Sequence, residues 1–317
     1  MSGDALLDRV EAGGLLAGPA PLLVMLSGGR DSVCALDLAV RVRGADAVRA
    51  LHVNYGLREE AGEDERYCAE LCARVGVALE VERPARPQGS GNLQAWAREV
   101  RYAAAAGLAD EPGAMTVTGH TADDQVETIL YRLASSPSRR ALLGMRPRDG
   151  RLARPLLGTT REETTAYCEE RGLAWRDDAS NEEAEYKRNL VRRELIPELE
   201  KVHPAAKENV LRTAALLREE AELLDSLVDA KLAGGDGVQP GRIRHARFAE
   251  LHPALRRLVL QRLADQAADR PVAGAARFAE QVAGLSRGGS VLDLGSGVRA
   301  VLERGILRAE RSQPPYI

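Results

Sequence analysis

The sequence predicts an α/β fold: a parallel sheet with helices on both faces, followed by a smaller, mostly helical C-terminal domain. Three observations carry this. Short apolar runs of strand length alternate with helical segments through the first half of the chain. After about Arg154 the alternation gives way to amphipathic helices. A glycine turn, Ser27-Gly28-Gly29-Arg30-Asp31-Ser32, stands between the first apolar run and the first helical segment. Parallel strands need crossover connections, and those connections cover the sheet with helices.

In chain order, Pro21–Leu26 reads as a strand and Asp31–Arg43 as a helix. Val48–Val53 is a strand, Glu60–Val75 a helix and Ala78–Glu82 a strand. Leu93–Leu108 reads as a long Ala/Arg helix, Met115–Thr118 as a short strand and Asp123–Leu133 as a helix. Thr160–Arg171 is an amphipathic helix with a threonine at its start to cap it. Leu190–Leu199 is helical. From Ala205 to Leu232, Val210, Ala214, Leu217, Ala221, Leu224 and Leu227 recur at helical spacing. Further helices reach Leu285, with short strands near Val291–Leu294 and Ile306–Arg308. Two domains follow, 1–204 and 205–317.

Composition bounds the function. At 44% hydrophobic and 29% charged residues the 317-residue chain can bury a core without staples. No apolar run reaches the ~18 residues of a membrane span and no basic region precedes an apolar one at the N-terminus, which argues for a cytoplasmic protein. A net charge of −3 excludes a simple basic nucleic-acid module, and 3% aromatics argue against a base-stacking platform. Cys34, Cys68, Cys72 and Cys168 make no disulfide framework. Cys68 and Cys72 lack the second Cys/His pair of a structural zinc site.

Two motifs carry chemistry. Adjacent glycines let Ser27–Ser32 turn tightly, so that its N–H groups and the following helix N-terminus favour an anion. It lacks the Gly-Lys-Ser/Thr ending of a Walker A loop. Thr118-Gly119-His120-Thr121-Ala122-Asp123-Asp124-Gln125-Val126-Glu127-Thr128 follows a strand and opens a helix, with Asp123 and Glu127 on one face. Clustered carboxylates bind a dication, hold an amine or act as a base. The alternative is capping, since acids favour a helix's first turn.

The six-residue turn resembles the SGGxDS signature of the PP-loop ATP pyrophosphatase superfamily. Further segments resemble the tRNA(Ile)-lysidine synthetases within it, in family order over about residues 22–200. Leu51-His52-Val53-Asn54-Tyr55-Gly56-Leu57-Arg58 is similar to HVNHGLR, and Ala97-Arg98-Glu99-Val100-Arg101-Tyr102 to AR-x-x-RY. Arg154-Pro155-Leu156-Leu157 is similar to their RPLL strand. Asp178-Ala179-Ser180-Asn181, Arg188-Asn189-Leu190-Val191-Arg192 and Ile196-Pro197 follow DxSN, RNxxR and IP. Two segments depart from the family: Tyr55 replaces the second His, and Ser135–Arg140 replaces a Gly-rich stretch.

The resemblance implies an enzyme that uses ATP to adenylate the wobble cytidine in the CAU anticodon of tRNA(Ile). The ε-amine of free L-lysine then displaces AMP, giving lysidine. It implies that Ser27, Gly28, Gly29, Arg30, Asp31, Ser32, His52 and His120 contact ATP. Asp31, Arg98, Asp124 and Glu127 are implied as catalytic, with Asp31 and Asp124 on Mg²⁺, because Asp31 beside phosphates calls for a cation between them. A homodimer is among the assemblies it allows. The alternatives are a PP-loop tRNA thiolase, which usually relies on a closely spaced Cys pair, and a non-catalytic RNA-binding relative.

Sorted by position, the charge is uneven. Residues 128–154 hold seven Arg against Asp149, and residues 186–218 hold eight basic residues against four Glu. Such clusters suit a phosphate backbone, so Arg139, Arg140, Arg188, Arg192 and Arg193 are the expected tRNA contacts. Val291-Leu292-Asp293-Leu294-Gly295-Ser296-Gly297 looks like a methyltransferase strand and glycine loop. The 20 residues after Gly297 are too few for that fold, which leaves a strand and turn.

Overall fold

A computed structural model describes residues 3–56, 61–85, 96, 100, 103, 114–136, 139–176, 186–234, 238–286 and 289–312. The chain divides into two compact units, 1–215 and 216–317.

The first unit opens with α1 (Gly3–Ala12), followed by β1 (Leu22–Met25) and α2 (Arg30–Arg43). β2 (Val48–Val53), α3 (Ala61–Val75), β3 (Ala78–Glu82) and β4 (Met115–Val117) come next. α4 (Ala122–Ser135) leads through one helical turn, Arg139–Leu142, to β5 (Arg148–Asp149) and β6 (Leu152–Ala153). After α5 (Arg161–Glu170), α6 (Tyr186–Leu190) passes through a π turn, Val191–Leu195, into α7 (Ile196–Val202). α8 (Ala206–Leu232) crosses from the first unit into the second.

The sheet order is β3-β2-β1-β4-β6-β5, with β5 alone antiparallel to its neighbour. The chain runs outward from β1 through β2 to β3, then returns to lay β4 on the other side of β1. The loops after β1 and β4 therefore diverge at the same sheet edge and leave a crevice, where ligands of open α/β sheets bind. Leu22 and Val24 point to one face and join Val33, Leu36 and Leu38 of α2 in the main core. Leu23 and Leu51 point to the other face with Met25 and Val53. Each such side chain, fully buried, contributes about 1.5–3 kcal/mol.

Two local expectations are corrected. Arg154–Leu157 is not a strand: β6 ends at Ala153, and Leu157 and Thr159 donate their N–H groups to the carbonyls of Arg154 and Leu156. Pro155 has no N–H for a ladder, so the chain turns there. α1 had no predicted counterpart; it buries Leu6 and Val10 against the sheet's helical layer. The Leu93–Leu108 helix lies mostly outside the described residues.

In the second unit α9 (His245–Glu250), α10 (Pro253–Ala268) and α11 (Ala279–Ala283) enclose Phe248, Leu260 and Leu263 with Leu307. Its strands are more extensive than expected: β7 (Ile243–Arg244), β8 (Ser290–Gly295), β9 (Val298–Glu303) and β10 (Ile306–Arg311) form an antiparallel sheet, order β7-β10-β9-β8. Gly295, Ser296 and Gly297 have φ of 86°, 55° and 74° and turn β8 into β9. The methyltransferase-like string is thus a hairpin. Among the described residues no helix is long and apolar enough to cross a membrane.

Candidate active site

Gly28 takes a φ of 88°, and a Cβ there would meet Tyr67 and Cys68 of α3 at 3.4 Å. Gly29 caps α2 without a side-chain hydrogen bond; its carbonyl accepts from the Ser32 and Val33 N–H groups at 3.0 Å, which leaves the Arg30 and Asp31 N–H groups without a capping side chain. The two serines brace the turn from within. Ser32 Oγ donates to the Gly29 carbonyl at 2.7 Å and lies 3.1 Å from Ser27 Oγ. The Arg176 N–H clamps the loop from outside by donating to the Gly28 carbonyl at 3.0 Å. Asp31 Oδ1 accepts from Thr164 at 2.6 Å and from Arg30 at 3.1 Å, while Oδ2 has no partner among the described residues.

The loop after β4 lies against this turn. A Cβ on Gly119 would sit 2.6 Å from the Asp31 carbonyl oxygen and 2.9 Å from the Ser32 nitrogen. The two backbones touch only because residue 119 has no side chain. Thr121 and Asp124 form a capping box on α4: Asp124 Oδ2 accepts from the Thr121 N–H at 2.8 Å and from its hydroxyl at 3.0 Å. The capping reading thus holds at Asp124, and it takes up Oδ2 alone.

Three acids on the first turns of α4 meet three cations from later in the chain. Arg161 forks across two of them, donating to Asp124 Oδ1 at 2.8 Å and Glu127 Oε1 at 3.0 Å. Its N–H donates to Asp123 Oδ2 at 2.8 Å. Arg192 reaches Glu127 Oε1 at 3.2 Å, and Lys207 reaches Asp123 Oδ1 at 3.3 Å. Burial pushes the Glu127 carboxyl up from its ordinary value, with Arg161 and Arg192 opposing and Asp124 adding to the rise. Burial also works against the Arg161 charge, but Asp124 and Glu127 outweigh it and raise its pKa.

Of the predicted site residues, Asp31, Asp124 and Glu127 share the crevice edge, and Arg98 lies outside the described residues. His52 is buried beneath the loop, its Nδ1 2.9 Å from the Leu26 carbonyl and 3.5 Å from Cys68 Sγ. His120 Nδ1 lies 2.8 Å from Thr118 Oγ1. Tyr55, in place of the family's His, packs edge-on against Trp96 with centroids 5.7 Å apart. Arg192 turns inward to Glu127, whereas Arg140, Arg188 and Arg193 are exposed and Arg139 is half-buried. Sequence reasoning missed Arg161, Thr164 and Lys207. The one local signal was the Thr160-x-x-Glu163 capping box, which locates the helix start that aims Arg161 and Thr164.

Mg²⁺ bound with substrate phosphates needs only one or two protein carboxylates. Asp31, with Oδ2 open, fits that role. Asp124 has both oxygens taken and fits it only if Arg161 yields one. Among the described residues no group of three or more acidic, His or Cys side chains forms a metal cage. All four cysteines are buried, and burial pushes the Cys68 and Cys72 thiols up to about 12 and about 11.

Residues 9–199 match the model of the PP-loop domain family. The chain is 40% identical over 264 residues to the tRNA(Ile)-lysidine synthase of Thermus thermophilus, an alignment covering 81% of this chain and 51% of the relative. It is 35% identical to that of Symbiobacterium thermophilum over 98% of this chain and 70% of the relative. The chain thus spans about half the length of the Thermus relative. Among solved structures, the U34-tRNA thiolase NcsA from Methanococcus maripaludis superposes with a TM-score of 0.58 at 18% identity, covering 68% of this chain and 78% of that one. At that identity the likeness shows the fold alone. From the family match and these relatives, the chain belongs to the PP-loop family, in the group of the tRNA(Ile)-lysidine synthases.

Proposed function

We propose that the chain joins free L-lysine to C2 of the wobble cytidine in the CAU anticodon of tRNA(Ile), consuming ATP and releasing AMP and pyrophosphate. The observation that carries this reading is the first turn of α5. Its Thr164 touches Asp31 of the glycine turn at 2.6 Å, while its Arg161 holds Asp124 and Glu127. A phosphate-binding loop and an amine-binding acid cluster are thereby tied to one helix start, as a two-step adenylation and amine transfer requires.

In the first step the cytidine O2 attacks the α-phosphorus of ATP and pyrophosphate leaves. The glycine turn (Ser27, Gly28, Gly29, Arg30, Ser32) and the α2 N-terminus receive the phosphates. His52 braces the turn from behind and His120 borders it. Mg²⁺ held by Asp31 would offset the repulsion between that carboxylate and the phosphates. Arg98 is the proposed stabiliser of charge in the transferring phosphoryl group. In the second step the neutral ε-amine attacks C2, AMP departs with the former O2, and one proton is lost. Glu127 holds the amine, and its burial favours uptake of that proton. Arg139, Arg140, Arg188 and Arg193 offer charge to the tRNA backbone, with residues 205–317 as a further tRNA-binding domain. Arg192 joins them only by leaving Glu127.

Buried cysteines with raised pKa values do not support the thiolase reading, because the thiolate is the reactive form. The deciding experiment incubates the protein with ATP, Mg²⁺, labelled lysine and CAU-anticodon tRNA. Label entering the tRNA with pyrophosphate release is expected. No incorporation beside an active control overturns the reading.

A further inference from the structure

We propose that Arg161 is a positioning residue, the fixed counter-ion that holds Asp124 and Glu127 in one orientation and leaves Glu127 Oε2, alone among the oxygens of Asp123, Asp124 and Glu127 without a partner among the described residues, as acceptor for the incoming amine. This deepens the reading above and rests on it for the identity of the amine.

Each oxygen in the cluster can be followed to its donor. Asp124 Oδ2 is taken by the Thr121 cap and Oδ1 by Arg161. Asp123 Oδ2 is taken by the Arg161 N–H and Oδ1 by Lys207. Glu127 Oε1 is shared by Arg161 and Arg192, and among the described residues Oε2 has no partner. Asp124 therefore does not grip the amine; it orients Arg161.

The three cations differ in how firmly they are held. Arg161 has a side chain 19% exposed and makes a bidentate contact, with its backbone anchored to the same cluster. Arg192 is 40% exposed and makes one contact at 3.2 Å. Asp123, Asp124 and Glu127 each already face a cation, one of which, Lys207, is shared with Glu200 at 3.5 Å, so an ammonium can enter only where a cation is loosely held or an oxygen is open. Both conditions meet at Glu127. A planar fork is needed because one head must span two carboxylates on successive turns of α4, a geometry that suits guanidinium and not a point-like ammonium.

Among the described residues the groups facing Glu127 are Asp123 and Asp124 on its own helix, Arg161 on α5, Arg192 in the π turn, and Lys207 on α8 through Asp123. Loss of the Arg161 charge removes the nearest support for ionised Glu127, so its carboxyl must titrate at higher pH.

The test compares wild type, R161K and R161Q, each checked by thermal melting. The Glu127 carboxyl is followed by ¹³C NMR in selectively labelled protein, assigned with E127Q. The expected midpoint in R161Q lies about tenfold higher in proton affinity than wild type, with R161K in between. In the lysine-transfer assay the KM for lysine rises about tenfold in R161Q, the KM for ATP moves less than threefold, and the acid limb of the pH profile shifts upward with Glu127. R161K restores charge but not the fork, so it recovers most of the midpoint and only part of the KM. An unchanged Glu127 midpoint in R161Q, or a fall in kcat with no change in lysine KM, overturns the assignment. If wild type transfers no lysine, the functional reading fails while the Glu127 midpoint still decides whether Arg161 governs that carboxyl. If R161Q does not fold, R161K decides by the same two readouts.

Discussion

Asp31 and Gly119 meet where the two site loops touch, and each fails in a distinct way when changed. Asp31 has one oxygen bound to Thr164 and Arg30 and one without a partner among the described residues. In Asp31→Asn the contact with Thr164 can persist, but the charge that would hold Mg²⁺ against the phosphates is gone. Pyrophosphate release should fall by about a hundredfold or more, with tRNA affinity by filter binding largely kept; an active variant would remove Asp31 from the chemistry. Gly119→Ala acts through shape alone. Its Cβ would lie 2.6 Å from one backbone atom of Asp31 and 2.7 Å from another, and backbone cannot swing aside as a flexible side chain does. One loop must retreat, at a cost of about 1–3 kcal/mol for overpacking. Urea unfolding should report that loss and ATP titration a weakened site. A G119A protein with unchanged midpoint and ATP affinity would show that the loops do not meet so closely.

At the scale of elements, α4 does two jobs with opposite faces of one helix. One face carries Asp123, Asp124 and Glu127 to the crevice. The other turns the buried Gln125 amide onto Met145, accepting its N–H at 2.6 Å and donating to its carbonyl at 2.9 Å. Arg132 adds a bond to the Gly144 carbonyl at 3.0 Å, and Arg154 one to the Arg146 carbonyl at 2.7 Å. The segment carrying Arg146, Arg148 and Arg151 is thus tied to α4. Gln125→Leu keeps the volume but strands the N–H and C=O of Met145, costing about 1–3 kcal/mol. Hydrogen exchange at 143–147 should quicken more than exchange in α2; equal quickening would refute the tether. These elements also show what local sequence can and cannot disclose. Ala78–Glu82 and the helix after Met115–Val117 were legible because apolar spacing and turn residues record local geometry. The SGGRDS turn was legible because glycine and helix start stand next to each other. The Arg161 fork was not, since it joins α5 to carboxylates 34 and 37 residues away, and the Thr164 contact spans 133 residues. No periodicity encodes such distances. A charge cluster read in sequence also cannot distinguish Arg192, turned to Glu127, from Arg193, turned to solvent.

Over the whole molecule, that distinction changes the meaning of the net charge. The chain carries −3 in total, while residues 128–154 and 186–218 are strongly basic. Part of that basic charge is spent internally: Arg132 and Arg154 on loop carbonyls, Arg192 and Lys207 on the acid cluster, Lys201 on Glu198. Arg140, Arg146, Arg148, Arg151, Lys187, Arg188 and Arg193 are among the exposed members of the two stretches. An acidic remainder repels a polyanion, so under the proposed function tRNA approach should be oriented by these residues rather than drawn to the surface at large. The consequence is measurable in salt. Each phosphate contact releases about one counterion, so Arg139→Ala with Arg140→Ala should lower the slope of log affinity against log salt by about two if both touch phosphate. The loss of affinity should then shrink as salt rises. Arg132→Ala, a charge of the same sign spent on the Gly144 carbonyl, should leave the slope within about half a unit of wild type. Equal slopes for the wild type and the double variant would take Arg139 and Arg140 out of the tRNA footprint. An equal drop in the Arg132 variant would mean that net charge, not the position of the exposed arginines, governs binding.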